Sequence, residues 1–318
     1  MAFEVTTNRA AKARRAVIFC VNEAYFPYAL LAASQVRALC PSELADIVIC
    51  AENGEIPASL SDLDIRLARL TLKDQSTDMG RLDQKKPATY HRLLLPHAFK
   101  EDYDRILYLD SDIFIERGDF ARLLEVDLKG HVLAAVRDEV QWFNPERDAH
   151  DFRTMGIRGK KYFNAGVLVI NCQAYRDNDI LSKALDANRM FRDKLKHNDQ
   201  PLLNAALRGE WLELSPVWNW QHARRFPMLT AMVPVGITHF IGKAKPWNDP
   251  DSLLPPRYAM AFQRFMARHF PDRPEIKISS GCDVSGAALG RQALRSWWHA
   301  RKITRYLKRF PDDLVAKE

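Results

Sequence analysis

The sequence has no cysteine pair at metal-binding or redox spacing, no apolar run of membrane-spanning length, no internal repeat and no low-complexity segment. Each absence removes a class of protein. The five cysteines, Cys20, Cys40, Cys50, Cys172 and Cys282, are odd in number and form no C-x-x-C. That argues against a disulfide framework or a zinc knuckle and makes a reducing cytoplasm the expected compartment. The longest apolar runs, such as Ala165 to Ile170, are a few residues long, far short of the roughly 20 that a membrane span needs. A basic start (Arg9, Lys12, Arg14, Arg15) leads into Ala16–Val21, too short for the apolar stretch of a secretory signal and without a small-residue cleavage site. Between 291 and 310 there is no acid at all, against seven basic side chains: Arg291, Arg295, Arg301, Lys302, Arg305, Lys308 and Arg309. The 318 residues carry 47 basic and 40 acidic groups, a formal +7, so everything outside this segment balances at 40 of each. A nucleic-acid-binding domain carries its basic face across the body. Here the body is neutral, and no nucleic-acid partner is expected.

What is present reads as an ordinary globular chain, 47% apolar and 27% charged, long enough for one large domain or two small ones. Short β-type runs alternate with helical stretches. Ala16–Val21, Ala45–Cys50, Ile65–Leu70, Arg105–Leu109, Val132–Val136 and Gly166–Asn171 read as strands. Tyr28–Leu39 reads as a helix, and so does Thr89–Phe99 despite Pro96. This alternation implies an α/β fold with a mainly parallel central sheet, whose ligands bind beyond the carboxyl ends of the strands. The polar residues that follow strands are therefore the candidates.

Four segments stand out. In R-I-L-Y-L-D-S-D-I-F-I (105–115) a strand runs straight into Asp110, Ser111 and Asp112. In extended chain i and i+2 face the same side, so both carboxylates can meet one ion, and hard oxygens suit Mg²⁺ or Mn²⁺. The bland alternative is a turn in which Asp caps the next element. In V-G-I-T-H-F-I-G-K-A-K-P-W-N (235–248), His239 offers an imidazole, Lys245 a point charge for phosphate, and Gly242 a close backbone approach. Its alternative is a half-buried structural histidine. In Y-F-N-A-G-V-L-V-I (162–170), Asn164, Ala165 and Gly166 precede a buried strand, where a plain turn is the competing reading. His197-Asn198-Asp199-Gln200-Pro201 competes with a helix N-cap followed by Pro in the first turn.

Together these segments, with F-C-V-N-E-A-Y at 19–25, A-T-Y-H-R-L at 88–93 and N-D-Q-P-L-L-N at 198–204, resemble glycosyltransferase family 8, the retaining, nucleotide-sugar-using enzymes of the GT-A fold. That family includes bacterial lipopolysaccharide galactosyl- and glucosyltransferases and, more distantly, glycogenin. The resemblance runs over roughly 16–250. It implies a catalytic domain over 16–250, preceded by a basic lead at 1–15 and followed by a helical extension at 251–318. It also implies a metal site of Asp110, Asp112 and His239 for Mn²⁺ or Mg²⁺, bridging the diphosphate of a UDP-sugar. Tyr25 matches the residue stacking on uracil, with Val21 and Asn22 beside the base. Arg92, Gly242 and Lys245 match nucleotide contacts, chiefly to phosphate, and Ser111 lies between the metal carboxylates. Asp138, Asn164, Ala165 and Gly166 match contacts to the donor sugar. Asp199 and Gln200 match the sugar-contacting acid and the amide on the β-face of the donor. Pro201 stands where the family often has a further Asp, which removes one carboxylate.

Gln200 is a poor nucleophile, which favours same-face attack assisted by the leaving group; Asp199 or Asp138 acting as nucleophile is the alternative. Leu294–Phe310 is helical in pattern, with Ile303, Tyr306, Leu307 and Phe310 on one arc opposite Arg301, Lys302, Arg305, Lys308 and Arg309. Either this helix packs on the body, or its basic face, with Trp297 and Trp298, meets anionic lipid at the inner face of the cytoplasmic membrane. The expected function is transfer of galactose or glucose to a saccharide, lipopolysaccharide or another envelope glycan. A metal-dependent nucleotidyltransferase and a nucleic-acid-binding protein are the other classes weighed; the first shares the acidic pair but leaves H-F-I-G-K-A-K-P-W without a role.

Overall fold

The computed structural model describes residues 3–73, 78–79, 82, 87–191, 194–195, 199–249, 254–277 and 285–315. Its strands are β1 (Phe3–Thr7), β2 (Arg15–Val21), β3 (Asp46–Ala51), β4 (Ile65–Leu72), β5 (Arg105–Leu109), β6 (Ile113–Ile115), β7 (Leu133–Arg137), β8 (Phe163–Asn171), β9 (Leu212–Glu213) and β10 (Ile237–His239). The helices are α1 (Phe26–Leu39), α2 (Pro87–His91), α3 (Leu95–Ala98), α4 (Phe120–Glu125), α5 (His150–Thr154) and α6 (Cys172–Asp177). They continue with α7 (Ile180–Phe191), α8 (Gln200–Leu207), α9 (Pro227–Met232), α10 (Pro256–His269) and α11 (Gly286–Leu307).

Eight strands form one sheet in the order β1-β4-β3-β2-β5-β8-β7-β9. The pairs β2/β3, β3/β4, β2/β5 and β7/β9 are parallel, while β1 and β8 run antiparallel to their neighbours. The apolar runs are continuous because both faces of the sheet are covered. In β2, Val17, Phe19 and Val21 face one core with α1, while Ala16, Ile18 and Cys20 face the other with α2, α6 and α7. In β5, Leu107 and Leu109 join the first core, and Ile106 and Tyr108 the second. The fold is the mixed, mainly parallel α/β sandwich expected. Cys20, Cys40, Cys50 and Cys172 are buried and unbridged; Cys282 lies outside the described residues.

Two expectations need correcting. The run 89–99 is two helices, α2 and α3, because Pro96 has no N–H to give to the carbonyl of Arg92 four residues back. Asn164 to Gly166 is no turn before a strand; it lies within β8, where Phe163 already pairs with Arg137 across a register shift in β7. Both terminal segments pack on the body. β1 pairs with β4 along Phe3–Thr7, and Arg9 is 2.8 Å from the buried Asp46. At the other end, Tyr258, Phe262 and Met266 of α10 pack on Leu31 of α1. In α11, Ile303 and Tyr306 are buried in the main core, with Leu307 and Phe310 packed against it. The apolar arc thus faces the body, while Arg301, Lys302, Arg305 and Lys308 remain exposed.

Candidate functional site

The parallel strands β2, β5 and β7 all end at one edge of the sheet, and antiparallel β8 begins there. Asn22 and Tyr25 after β2, Asp110 to Asp112 after β5, Asp138 after β7 and Asn164 to Gly166 at the start of β8 are therefore brought together. The small sheet completes the set. β10 pairs with β6 so that His239 lies opposite Ile113, and the N–H of Phe240 donates to the carbonyl of Asp112 at 3.0 Å. This register places an imidazole from residue 239 beside carboxylates from 110 and 112.

His239 Nε2 is 3.3 Å from Asp112 Oδ1 and 3.7 Å from Asp110 Oδ2. The three ligand atoms lie within 4.8 Å of one another. The tautomer follows from a chain of hydrogen bonds anchored on the backbone. The N–H of Gly166 donates to Asn164 Oδ1 at 3.0 Å, which also accepts from Asn219 Nδ2 at 2.9 Å. That turns Asn219 Oδ1 toward His239 Nδ1, 2.9 Å away. Nδ1 therefore carries a proton, and in the neutral ring the Nε2 lone pair would be presented to a cation held by the carboxylates. Asn219 is fully buried. Sequence reading missed it, since nothing in the surrounding W-N-W-Q marks it out.

Lys245 Nζ is 2.5 Å from Asp112 Oδ2 and also donates to the carbonyl of Phe240. Burial works against a charge on Asp112, but His239 and Lys245 outweigh it and hold this carboxyl well below the ordinary carboxylate range. Arg92 is 8% exposed, and its fork is fully engaged. Nη2 is 2.9 Å from Asp110, Nε 2.8 Å from Asp199, and Nη1 donates to the carbonyl of Ala165 at 2.7 Å. Its guanidinium also lies over the Tyr108 ring, 4.4 Å from the centroid. Arg92, expected as a nucleotide contact, clamps two carboxylates here. It lies between α2 and α3.

Asp199 precedes α8 at the N-cap, as its sequence context suggests, but its side chain caps nothing. It turns to Arg92. Burial raises its carboxyl to about 6; Arg92 pulls down and Asp110 pushes up. Gln200 accepts from the N–H of Ala165 at 3.0 Å and donates to Asp138 Oδ2 at 3.2 Å, so its amide spans β8 and the end of β7. His197 and Asn198 of the same motif lie outside the described residues.

A cavity of about 340 Å³ opens against this cluster, lined by Val21, Asn22, Tyr25 and Arg92 and floored by Asp110, Ser111 and Asp112. Gly242, expected beside the phosphates, lines a different cavity. The cluster fits a divalent cation on three grounds. The donor set is two carboxylates and a neutral imidazole. Among the described residues, the three carboxylates of Asp110, Asp112 and Asp199 share two permanent cations, Arg92 and Lys245, an excess of negative charge that is costly in a buried site. And the space is kept open: a Cβ on Gly166 would collide with His239 Cε1 and come within 3.0 Å of Asp110 Oδ2.

A family model described as glycosyl transferase family 8 matches residues 16–251. General stress protein A of Bacillus subtilis is 31% identical over 177 residues, 51% of this chain and 59% of that protein. The lipopolysaccharide 1,3-galactosyltransferase of Salmonella typhimurium is 29% identical over 173 residues, 51% of this chain and 49% of that enzyme. The matches thus span about half the length of these relatives. Among solved structures, the galactosyltransferase LgtC in complex with donor and acceptor sugar analogues superimposes with a TM-score of 0.62 at 22% identity, covering 78% of this chain and 95% of that one. That likeness speaks to the fold.

Proposed function

The chain belongs to glycosyl transferase family 8, and from that premise we propose that it is a retaining hexosyltransferase. It moves galactose or glucose from a UDP-sugar to a saccharide of the cell envelope, foremost lipopolysaccharide. The observation that carries this reading is the Asp110–Asp112–His239 cluster beside the cavity of Val21, Asn22 and Tyr25. Asp110, Asp112 and His239 would hold a Mn²⁺ or Mg²⁺, which would supply positive charge to the donor diphosphate as it departs.

The side chains do the rest. Tyr25 offers its ring to uracil, with Val21 and Asn22 flanking the base. Lys245, half-buried beside Asp112, supplies a point charge to the departing phosphate. Arg92 fixes Asp110 and Asp199 in place. Breaking the glycosyl–phosphate bond leaves positive character on the sugar carbon, which the negative charge of Asp138 and Asp199 stabilises. Gln200 brings an amide, not a carboxylate, to the sugar. Retention therefore follows the same-face route: the acceptor hydroxyl attacks as the carbon–oxygen bond breaks, and its proton passes to the donor phosphate oxygen.

The exposed face of α11 sets the place of work. Trp297 and Trp298 are each 70% exposed among Arg291, Arg301, Lys302 and Arg305. Each such cation contributes about 1 kcal/mol near an anionic lipid surface, which holds the protein on the inner face of the cytoplasmic membrane. Among the described residues no helix is long and apolar enough to cross a membrane.

The test is UDP release from UDP-galactose and UDP-glucose with Mn²⁺. One of the two should turn over, and EDTA should stop it. No turnover with either donor, together with no UDP-dependent thermal shift, would sink the reading. For the tail, flotation with anionic vesicles at low salt should vanish when Trp297, Trp298, Arg301 and Lys302 are all replaced by Ser.

A further inference from the structure

A second cavity, of about 480 Å³, lies against the donor site but shares no lining residue with the nucleotide cavity. Glu139, Gln221, Gly242, Arg224, Arg225 and Arg295 line it. The first three tie it to the chemistry. Glu139 follows Asp138, and its N–H donates to Gln221 Oε1 at 3.0 Å. Gln221 Nε2 in turn donates to the carbonyls of Arg137 and of Asn219, the residue that orients His239. Gly242, three residues beyond His239, turns the chain at φ +83°, in the left-handed region that favours glycine.

Among the described residues the three arginines have no acidic partner. The one acid in the lining, Glu139, has a carboxylate oxygen 2.9 Å from Nδ1 of the fully buried His222. Among the described residues no carboxylate lies within ion-pairing distance of Arg224, Arg225 or Arg295. Two of them are nonetheless held in place. Arg225 lies over Phe143 and Phe226, at 5.9 and 5.4 Å from the ring centroids, and Arg295 of α11 lies over the same Phe226 ring at 5.4 Å. Stacking fixes each guanidinium plane and leaves its N–H edge free. Two like charges sharing one ring repel unless an anion comes between them. Gln292 of α11 adds a different signal: it lines the cavity, and its Oε1 is buried without a hydrogen-bond partner. A buried carbonyl oxygen of that kind is satisfied by a hydroxyl.

Resting on the transferase reading above, we infer that this cavity takes the acceptor and that the acceptor is an anionic saccharide. Its phosphate or carboxylate is gripped between Arg225 and Arg295, with Arg224 adding to the field. Gln292 and Gln221 meet the sugar hydroxyls, one of which is presented toward Asp138 and Gln200. Helix α11 is then part of the substrate site as well as of the core.

The test titrates the protein, saturated with UDP and Mn²⁺, with glucose 6-phosphate, glucuronate and glucose. At least one charged sugar should bind about tenfold or more tightly than glucose, and the ranking of the two names the anionic group. Arg225→Gln and Arg295→Gln should each weaken the charged sugar about tenfold, leave glucose within about twofold, and flatten the salt dependence; Arg295→Lys should recover part of the loss. Equal binding of all three sugars overturns the inference. So do variants that melt like the parent and still bind the charged sugar normally. Loss of flotation with anionic vesicles at unchanged sugar binding would assign these arginines to lipid and overturn it too. UDP release by the unaltered protein without any acceptor reports on the transferase reading separately.

Discussion

Glu213 and Asp112 are both buried carboxylates held by cationic side chains, yet they are set up in opposite ways. Glu213, in β9, meets Arg137 at 2.8 Å, both nitrogens of the Arg309 fork at 3.0 and 3.1 Å, and the hydroxyl of Tyr306 at 2.7 Å. One anion faces two cations and a donor, and every oxygen is occupied. In the donor site, among the described residues, three carboxylates share two permanent cations, with Nε2 of His239 beside them. The first arrangement ties β7, β9 and the end of α11 together. The second is short of positive charge until a ligand brings it. Balance marks structure here, and imbalance marks function.

Two substitutions should separate the roles most sharply. Asp112→Asn removes a ligand oxygen's charge and should lower donor turnover by about a thousandfold, near 4 kcal/mol in the barrier, with the smaller change in stability. Glu213→Gln should do the reverse. It leaves two arginines without their anion and should cost about 3 kcal/mol of folding stability, read from urea denaturation, with turnover of the folded fraction retained. If Glu213→Gln abolished activity in a protein as stable as the parent, the division between the clusters would be wrong.

A smaller effect tests the chain that aims His239. Asn219→Ala removes the acceptor that keeps the proton on Nδ1, leaving the imidazole free to turn and to present the wrong nitrogen. Metal affinity should fall about 10- to 100-fold, measured by the Mn²⁺ concentration needed for half-maximal turnover and by Mn²⁺ electron paramagnetic resonance. In the Glu213 cluster no single neutral residue has comparable leverage, because three donors from two segments over-determine it. Unchanged Mn²⁺ affinity would mean that His239 is held by β10 alone.

How far these clusters were legible in the sequence follows from how each is built. β2, β3 and β5 announce themselves as apolar runs because both faces of the sheet are covered. The acid pair stands out because Asp110 and Asp112 interrupt such a run at a strand end. Asp199 was legible as a residue but ambiguous in role; only its choice of Arg92 over the backbone of α8 decides between ligand-site acid and helix cap. Asn219, Glu213 and the stacked arginines were not legible. Asn219 and Arg225 lie in loops, Glu213 in a strand too short to have a pattern and Arg295 on the exposed side of α11, and the partners of Asn219 and Glu213 are 20 to 96 residues away in the chain. The +7 of the composition misled in a related way. It set residues 291–310 apart from a neutral body, while burial of Ile303 and Tyr306 and the Arg309–Glu213 pair make the same segment part of the core.

Acid titration should distinguish the two clusters with the mildest perturbation. Burial lifts Asp199 to about 6, above its ordinary 3.8, so its contribution to stability is fully present below 3.8 and is lost as the pH rises through about 6. Glu213 runs the other way. Burial opposes its charge, but Arg137 and Arg309 hold it below its ordinary 4.5, so its contribution is present above 4.5 and is lost only as the pH falls through the lower folded value. Lowering the pH from 6 toward 4.5 therefore protonates Asp199 and loosens its grip on Arg92 while Glu213 stays ionised. Turnover should fall about tenfold per unit below pH 6 with no loss of melting temperature, and the melting temperature should drop only below pH 4.5. In Asp199→Asn the acid limb of the activity profile should disappear, since the charge that Arg92 answers no longer titrates. Activity and melting temperature falling together from pH 6 would mean that the two clusters titrate as one, and that the site is not poised apart from the scaffold that carries it.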